Sequence, residues 1–328
     1  MDALTITKLI LEIIGSWIIV MTPSALGAHI AVSILEKKDL KKISEYNGCL
    51  IKECPFIDAI STLEIKKELD EKKLEILLSL LEKLSNYTSK ENLKTVYQNL
   101  KTLKLQRKPF FAIVGIAGLY TCDKNKIEYS KKSSLSHEFL HCASSYYDTE
   151  TKIKYSGFHQ VFDGISIGKA LNEGYTEILT SRIYNKNKIT SYKLETNMVK
   201  LLELFFEDPK DLEKLYFNHD LLGFVKYMEK FASRDEIINI ILKMDKVNTY
   251  LSADFLNPFV PLQTIEIKFE LYKWFIAHNK DKEKLEKFKS IMYENKVTGL
   301  ILNNKIKLYR ENPYTMNKEI DEPQQKIH

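Results

Sequence analysis

The pattern of apolar and polar positions divides the chain into a strongly apolar start, a long helical middle and a shorter segment with strand character. Two series of apolar residues in the middle recur at intervals of three and four, which is typical of one face of an amphipathic helix. A Ser/Thr-x-x-Glu capping box precedes each series, at Ser61–Glu64 and at Thr88–Glu91. The series are Leu74, Leu77, Leu78, Leu81 and Leu84, then Leu93, Val96, Tyr97, Leu100 and Leu103. We therefore expect residues 1–108 to form a helical N-terminal region.

The pattern of residue types changes after residue 108. Phe110–Tyr120 is rich in β-branched and aromatic residues, Asp123–Lys126 has the composition of a turn, and Ile127–Tyr129 resumes an extended pattern. This order predicts a β-hairpin.

Beyond residue 185 the apolar residues return to helical spacing. The stretches are Met198–Phe206, Leu221–Met228, Ile237–Met244, Phe269–Phe275 and Phe288–Met292. We expect a helical C-terminal subdomain over 186–310, closing with a short hairpin over Gly299–Tyr309 that turns at Asn303–Asn304. The polar residues 311–328 predict a disordered tail. The pattern as a whole indicates an α+β fold that is mainly α.

The apolar segment 4–35 allows two interpretations. Ile13–Leu35 contains His29 as its one titratable side chain and is long enough to cross a bilayer. Thr22-Pro23 is a good helix start, which favours two buried helices and a cytoplasmic protein. The alternative is membrane association through residues 4–35, and the lysines that follow would then keep the rest of the chain in the cytoplasm; they are Lys37, Lys38, Lys41 and Lys42.

Composition excludes several classes of protein. Apolar residues make up 44% of the chain and charged residues 28%, which is ordinary globular usage. A formal net charge of +5, from 49 basic and 44 acidic side chains, is too weak and too mixed to indicate a nucleic-acid partner. The four cysteines include no Cys-x-x-Cys pair, so the sequence does not indicate a fold built on disulfides.

The candidate chemistry begins with His-Glu-x-x-His at residues 137–141. On a helix, His137 and His141 share one face a turn apart, so both imidazoles can reach one metal ion. Glu138 is rotated by about 100° from that face and can hold a water molecule beside the metal. A serine-rich run before the motif can cap this helix, and Leu135, Phe139 and Leu140 give it a buried side.

A second motif can supply the third protein ligand that a catalytic zinc site needs besides the two histidines. A catalytic zinc site takes three protein ligands and a water. Glu173 and Glu177 lie four residues apart in the helical stretch that follows Lys169. One of them can bind the metal, and the other can accept the free N–H of a ligand histidine.

Together the two motifs resemble those of the gluzincin metallopeptidases, in which an H-E-x-x-H helix is followed by a helix carrying N-E-x-x-x-D/E. Asn172-Glu173 with Glu177 is similar to the thermolysin-type motif, and Leu171–Gly174 is similar to the aminopeptidase N-type motif. The resemblance covers residues 109–185. It implies a zincin-like catalytic core there, with one Zn²⁺ bound by His137, His141 and Glu173. Asn172 and Glu177 would form the supporting layer, Glu177 behind His137.

The resemblance also implies a mechanism and a substrate. Glu138 would be the general base on a zinc-activated water, and a peptide or protein would be the substrate, bound beside the strand near Ile116–Tyr120. A His or Tyr from the C-terminal half is typical as the oxyanion donor; the candidates are His219, Tyr175 and His159, of which we select His219. Two departures stand out: a long separation between the motifs, which implies an inserted loop over 148–168, and no Gly-Ala-Met-Glu-Asn-like exopeptidase motif.

Two other interpretations remain open at this stage. The helix pair could bind zinc for structure or interaction without catalysis, although a structural site needs no base at Glu138. A membrane-associated helical adaptor is supported by the apolar segment 4–35 alone. Cys142, beside the second histidine, points off the metal face and is interpreted as a small buried residue.

Overall fold

The helices form because apolar residues recur at helical spacing along most of the chain, and a computed structural model shows where each begins and ends. It describes residues 71–113, 115–184, 191–253, 259–293, 302–307 and 309. The expectations for residues 4–35, for the Ser61–Glu64 capping box and for the tail 311–328 lie outside these ranges. Within them, no helix has the length and apolar character needed to cross a membrane.

The described part of the chain is α+β and mainly helical, as the pattern predicts. Its α-helices are α1 Glu71–Tyr87, α2 Lys94–Leu100, α3 Leu135–Ala143, α4 Lys169–Tyr184, α5 Lys193–Glu203, α6 Pro209–Phe217, α7 Leu221–Met228, α8 Arg234–Ala253, α9 Phe259–His278 and α10 Lys282–Met292. Its strands are β1 Lys104–Arg107, β2 Gly118–Thr121, β3 Lys126–Tyr129, β4 Ser145–Tyr147, β5 Lys154–Ser156, β6 His159–Phe162 and β7 Ile165–Ile167. The five apolar stretches predicted after residue 185 lie in or overlap α5, α7, α8, α9 and α10.

The predicted hairpin is present as β2 and β3. They pair antiparallel with Gly118 opposite Tyr129, and β1 adds to β3 in parallel, which gives the order β1-β3-β2. The first half of the predicted strand is different, because Pro109–Ala112 forms a 3₁₀ turn and the strand begins only at Gly118. β2 is therefore a short edge strand.

The inserted loop expected over 148–168 is instead part of a β-meander. Strands β4 to β7 pair antiparallel in chain order. The strands are three or four residues long, too short for their alternation to stand out in the sequence. Left-handed residues at two turns, Gly157 (φ +52°) and Gly164 (φ +75°), join β5 to β6 and β6 to β7.

The capping box predicted at Thr88–Glu91 is wrong. α2 begins at Lys94, and no side chain caps it. The Thr88 hydroxyl instead donates to buried Glu213 at 2.5 Å, and Asn92 Nδ2 donates to the Thr88 oxygen at 2.8 Å. The Thr88 side chain therefore bonds Glu213, a residue distant in the sequence, and does not cap α2.

The hairpin predicted over Gly299–Tyr309 is also wrong where the structure describes it. Residues 302–307 are helical, and Leu302 and Ile306, four positions apart, are both buried. Their i,i+4 spacing places both side chains on one helix face. The Asn303-Asn304 pair therefore lies in a helix and does not form a turn.

The start of α4 is held by a carboxylate from a distant helix. Asp245 of α8 accepts hydrogen bonds from the backbone N–H groups of Gly168 and Ala170, both at 2.7 Å. The first N–H groups of a helix have no partner within it, and a carboxylate there also interacts favourably with the helix dipole. Burial raises the pKa of Asp245 to about 7, against the opposing effect of these N–H groups. This contact fixes where α4 begins.

We expect Asp245→Ala to destabilise the protein by about 2–3 kcal/mol, because buried N–H donors lose an acceptor. Urea denaturation followed by circular dichroism measures the change. Asp208→Ala is the matched control: Asp208 caps the exposed start of α6 through the Lys210 N–H at 2.9 Å, and its loss should cost about 1 kcal/mol. Equal effects of the two variants would contradict the role given to Asp245.

Candidate metal centre

The first half of the site lies on α3, whose nine residues are all buried. Because His137 and His141 are one turn apart, both rings leave the helix on the same side, and their centroids are 4.7 Å apart. Phe139 and Leu140 point into the core and are fully buried, as predicted. The serine-rich run does not cap the helix, because Ser134 Oγ donates to the Ala117 and Lys131 carbonyls.

Two polar side chains fix the carboxyl end of α3. Asn99 Nδ2 donates to the carbonyl oxygens of Cys142 and Ser145, both at 2.7 Å. His219 Nδ1 donates to the Ser144 carbonyl at 2.6 Å, and its Nε2 lies 3.3 Å from the Thr95 hydroxyl. Burial lowers the pKa of His219 to about 4, so the ring is neutral and fits these two partners.

The prediction of His219 as oxyanion donor is therefore not supported. The ring is fully buried, both nitrogens are engaged, and His219 is not among the residues that line the cleft. It holds the end of the metal-site helix instead. Tyr175 is also fully buried, against Phe158 and Tyr216, and does not line the cleft either. Cys142 is fully buried, in agreement with its interpretation as a small core residue.

The second half of the site lies on α4, which presents Glu173 and Glu177 to α3. Gly174, between them, allows the next helix to approach. A Cβ at Gly174 would lie 2.7 Å from the backbone carbon and oxygen of Glu195 in α5. The close packing of α5 on α4 thus requires glycine at this position.

Three potential ligand atoms converge between the two helices. The Nε2 atoms of His137 and His141 are 3.0 Å apart, and Glu173 Oε2 lies 3.2 Å from the first and 3.3 Å from the second. Tetrahedral zinc with ligands at about 2.0–2.1 Å separates neighbouring ligand atoms by about 3.3–3.4 Å. The three residues form a group that could hold a metal ion, with spacing close to that value.

Behind the histidines lies a second layer of polar side chains. Glu177 Oε2 is 3.0 Å from His137 Nδ1, so the carboxylate accepts the N–H of that ring. Asn172 lies 3.3 Å from His141 Nδ1 through its Nδ2, while its Oδ1 is buried without a partner. Turning the amide by 180° lets Oδ1 accept the His141 Nδ1–H. Both imidazoles then present an Nε2 lone pair to the centre.

The electrostatics of the triad favour a positive charge at its centre. Burial alone would lower the pKa of His137, but hydrogen bonds to Glu173 and Glu177 raise it to about 10. Burial alone would raise the pKa of Glu173, but the two histidines hold it well below its usual range. Two lone pairs and a carboxylate this close repel one another unless protons or a metal ion lie among them.

Glu138 faces the same cleft from the side of α3. Its side chain is buried, it accepts a hydrogen bond from the Tyr120 backbone N–H in β2, and burial raises its pKa. A Cβ at Gly118 would lie 2.7 Å from Glu138 Oε1, so glycine makes room for the carboxylate. The strand thus positions Glu138 beside the ligand group rather than within it.

The cleft itself has a volume of about 330 Å³. It is lined by β2, by the three potential ligands and Glu138, by residues of the meander and by Tyr192. His159, one of the predicted oxyanion candidates, lies on its wall; its Nε2 is 2.7 Å from Ser166 Oγ, and burial lowers its pKa to about 4.

Sequence reasoning missed Tyr192. It lies just before α5 in a left-handed conformation (φ +49°), and its ring stacks on His137 with centroids 5.6 Å apart and planes 13° apart. The nearby Glu173 carboxylate raises the pKa of Tyr192, so the phenol keeps its proton and can donate it in a hydrogen bond. No sequence signal identified it, because its position depends on the approach of α5 that Gly174 permits.

The geometry predicts unequal roles for the two glutamates. Glu173→Ala removes one of three converging atoms and should nearly empty the site. Glu177→Ala removes only the partner of His137 and should weaken zinc affinity about 10- to 100-fold. Competition with a chromophoric chelator measures both affinities.

Exposed Glu207→Ala is the control and should leave zinc affinity unchanged. Negligible effects of both site variants would refute the site. A larger loss from Glu177→Ala would mean that ligand and supporter are exchanged.

Comparison of the chain with protein-family models, with curated proteins and with solved structures finds no match. The case for a function therefore depends on the site geometry.

Proposed function

We propose that this protein is a zinc-dependent metallopeptidase in which His137, His141 and Glu173 bind the metal and Glu138 is the general base. The observation that carries the proposal is the triad of ligand atoms at 3.0–3.3 Å from one another, with a buried carboxylate of raised pKa beside it in an open cleft. The similarity of the two motifs to those of gluzincins supports it.

The donor set favours zinc. Two imidazoles and one carboxylate, with one position left open, are the ligands of catalytic zinc sites, whereas a structural site is closed by four protein ligands. When bound, zinc polarises a carbonyl and lowers the pKa of a bound water towards neutrality. The opening of this group into a cleft favours catalysis over a purely structural role.

Glu138 is suited to moving a proton. It can accept one from the attacking water and return it to the amine that leaves the cleaved peptide bond. Such a group works best when its pKa is near the working pH, and burial raises the pKa of Glu138 in that direction. The Tyr120 N–H and the space at Gly118 hold the carboxylate in place.

The edge of β2 that faces away from β3 can align a peptide substrate. In antiparallel pairing, alternate residues direct both backbone groups away from the partner strand. The Ala117 carbonyl accepts from Ser130 N–H on the β3 side, so Gly118 and Tyr120 direct their groups to the other edge, as the bond from Tyr120 to Glu138 shows. An extended peptide can add to that edge by main-chain hydrogen bonds.

Tyr192 replaces His219 as the proposed oxyanion donor. Its ring stacks on His137, and its protonated phenol reaches the Glu173 carboxylate. A donor of this kind stabilises the negative oxygen that develops when water attacks a carbonyl.

We expect Glu138→Gln to lower peptide hydrolysis at least about 10²-fold, because the amide cannot accept the proton. A mixture of quenched fluorogenic peptides reports activity, and metal analysis should show zinc near the wild-type content. Exposed Glu150→Gln is the matched control and should remain active. Loss of zinc from Glu138→Gln would make Glu138 a ligand, and full activity would refute the peptidase proposal.

Tyr192→Phe keeps the ring on His137 and removes only the donor. We expect kcat to fall about 10²-fold with a small change in KM and no loss of zinc, because an oxyanion donor acts in the transition state. Tyr97→Phe on α2 is the control. A rise in KM at unchanged kcat would instead assign Tyr192 to substrate binding.

A further inference from the structure

The rim of the cleft carries a concentration of exposed apolar side chains. Among the described residues, seven large apolar side chains are exposed, and four of them lie within residues 109–113 and 115–119, here called the rim loop. The exposed fractions are 66% for Phe110, 79% for Ile113, 38% for Ile116 and 45% for Leu119. Soluble surfaces rarely gather large apolar groups in this way unless the surface binds something.

Backbone contacts hold the rim loop in this shape. The Ile116 N–H donates to the Phe111 carbonyl at 2.8 Å, and Ser130 Oγ donates to the Ile116 carbonyl at 2.6 Å. Ser134 Oγ donates to the Ala117 carbonyl at 2.9 Å. The loop is thus fastened to the residues after β3, and its apolar side chains stay directed outward.

Basic side chains flank the rim loop on both stems. Arg107 and Lys108 precede it, and Lys131 is joined to its end by an N–H bond to the Ala117 carbonyl at 3.2 Å, followed by exposed Lys132. Residues 104–132 contain seven Lys or Arg and two Asp or Glu, a net charge of +5. Lys108 lies 3.7 Å from Glu128. Arg107, Lys131 and Lys132 form no ion pair with the residues that the structure describes. The basic groups can therefore meet an external negative charge.

We propose that the rim loop is a membrane-binding surface that inserts its apolar tip into an anionic lipid bilayer. The pattern of an apolar tip with basic stems matches the division of a bilayer interface into acyl region and negative headgroups. Phe110 and Ile113, which are 66% and 79% exposed, project from the surface. A projecting tip suits a deformable bilayer better than the flat or concave face of a protein partner.

The proposal does not depend on the metal chemistry. Leu119 belongs both to the rim loop and to the cleft wall, so binding of the rim loop to a bilayer would place the cleft beside the membrane. A protein bound in this way would present the cleft to chains emerging from the bilayer or lying on it.

The test reads the environment of the rim loop itself. Ile113→Trp in the full chain should shift its added tryptophan emission to shorter wavelength with vesicles of phosphatidylcholine and phosphatidylglycerol, and brominated acyl chains should quench it. Neutral phosphatidylcholine vesicles should give a much weaker response. Leu262→Trp is the matched control: Leu262 is an exposed residue of α9, 51% accessible, and its variant should not respond. The two native tryptophans contribute equally to both proteins, so the added residue is read by difference from the wild type.

A separate variant tests the contribution of the basic side chains to lipid binding. Lys131→Gln with Lys132→Gln, in the Ile113→Trp protein, should raise the anionic lipid concentration for half the response about tenfold or more. Lys280→Gln with Lys282→Gln removes the same charge from other exposed positions and should not.

Three results would overturn the proposal. The Ile113→Trp emission could stay unchanged with anionic vesicles, which excludes insertion. It could already be at short wavelength without lipid, which would show that another part of the chain or a second copy covers the loop. It could also respond equally to neutral and anionic vesicles, which removes the role of the basic stems.

Discussion

The packing of α3 against α4 depends on a set of polar side chains that are buried together and have few other partners. His137 and His141 meet Glu173 at 3.2 and 3.3 Å, with Glu177 behind the first ring. Burying such groups is unfavourable unless each finds a partner, so their arrangement is strongly constrained. Because the central nitrogen and oxygen atoms carry lone pairs, protons or a metal ion can complete the set. Folding of this helix pair and binding of protons or metal are therefore coupled.

The positions of α3 and α4 are fixed by residues that lie far from them in the sequence. Asp245 fixes the first N–H groups of α4, and Asn99 and His219 fix the last carbonyls of α3. Gly174 lets α5 approach, and Tyr192, just before α5, lines the cleft. A site held at both helix ends needs little movement to bind an ion, which is the condition for high affinity and correct geometry.

Sequence analysis located the parts of the site that depend on local periodicity. His137, His141 and the two glutamates were found because four-residue spacing places side chains on one helix face whatever surrounds it. Local rules gave the wrong result where a tertiary partner competed, as when Glu213 took the Thr88 hydroxyl. Tyr192 was not predicted, because no local sequence pattern indicates its left-handed backbone or its stacking on His137. The candidate ligand residues were thus predictable, and Tyr192 was not.

A single four-residue strand then connects the helix pair to its surroundings. Side chains alternate along β2, so Gly118 leaves space for Glu138 while Leu119 turns outward to the rim. The Tyr120 N–H points away from β3 and holds the same carboxylate. The position of the proposed base, the outer backbone edge of β2 and the apolar rim are thereby set by one register against β3. A shift of that register by one residue would turn each side chain of β2 to the opposite face and would disrupt all three features. The Ser130 and Ser134 hydroxyls, which donate to the Ala117 carbonyl, hold the start of the strand against such a shift.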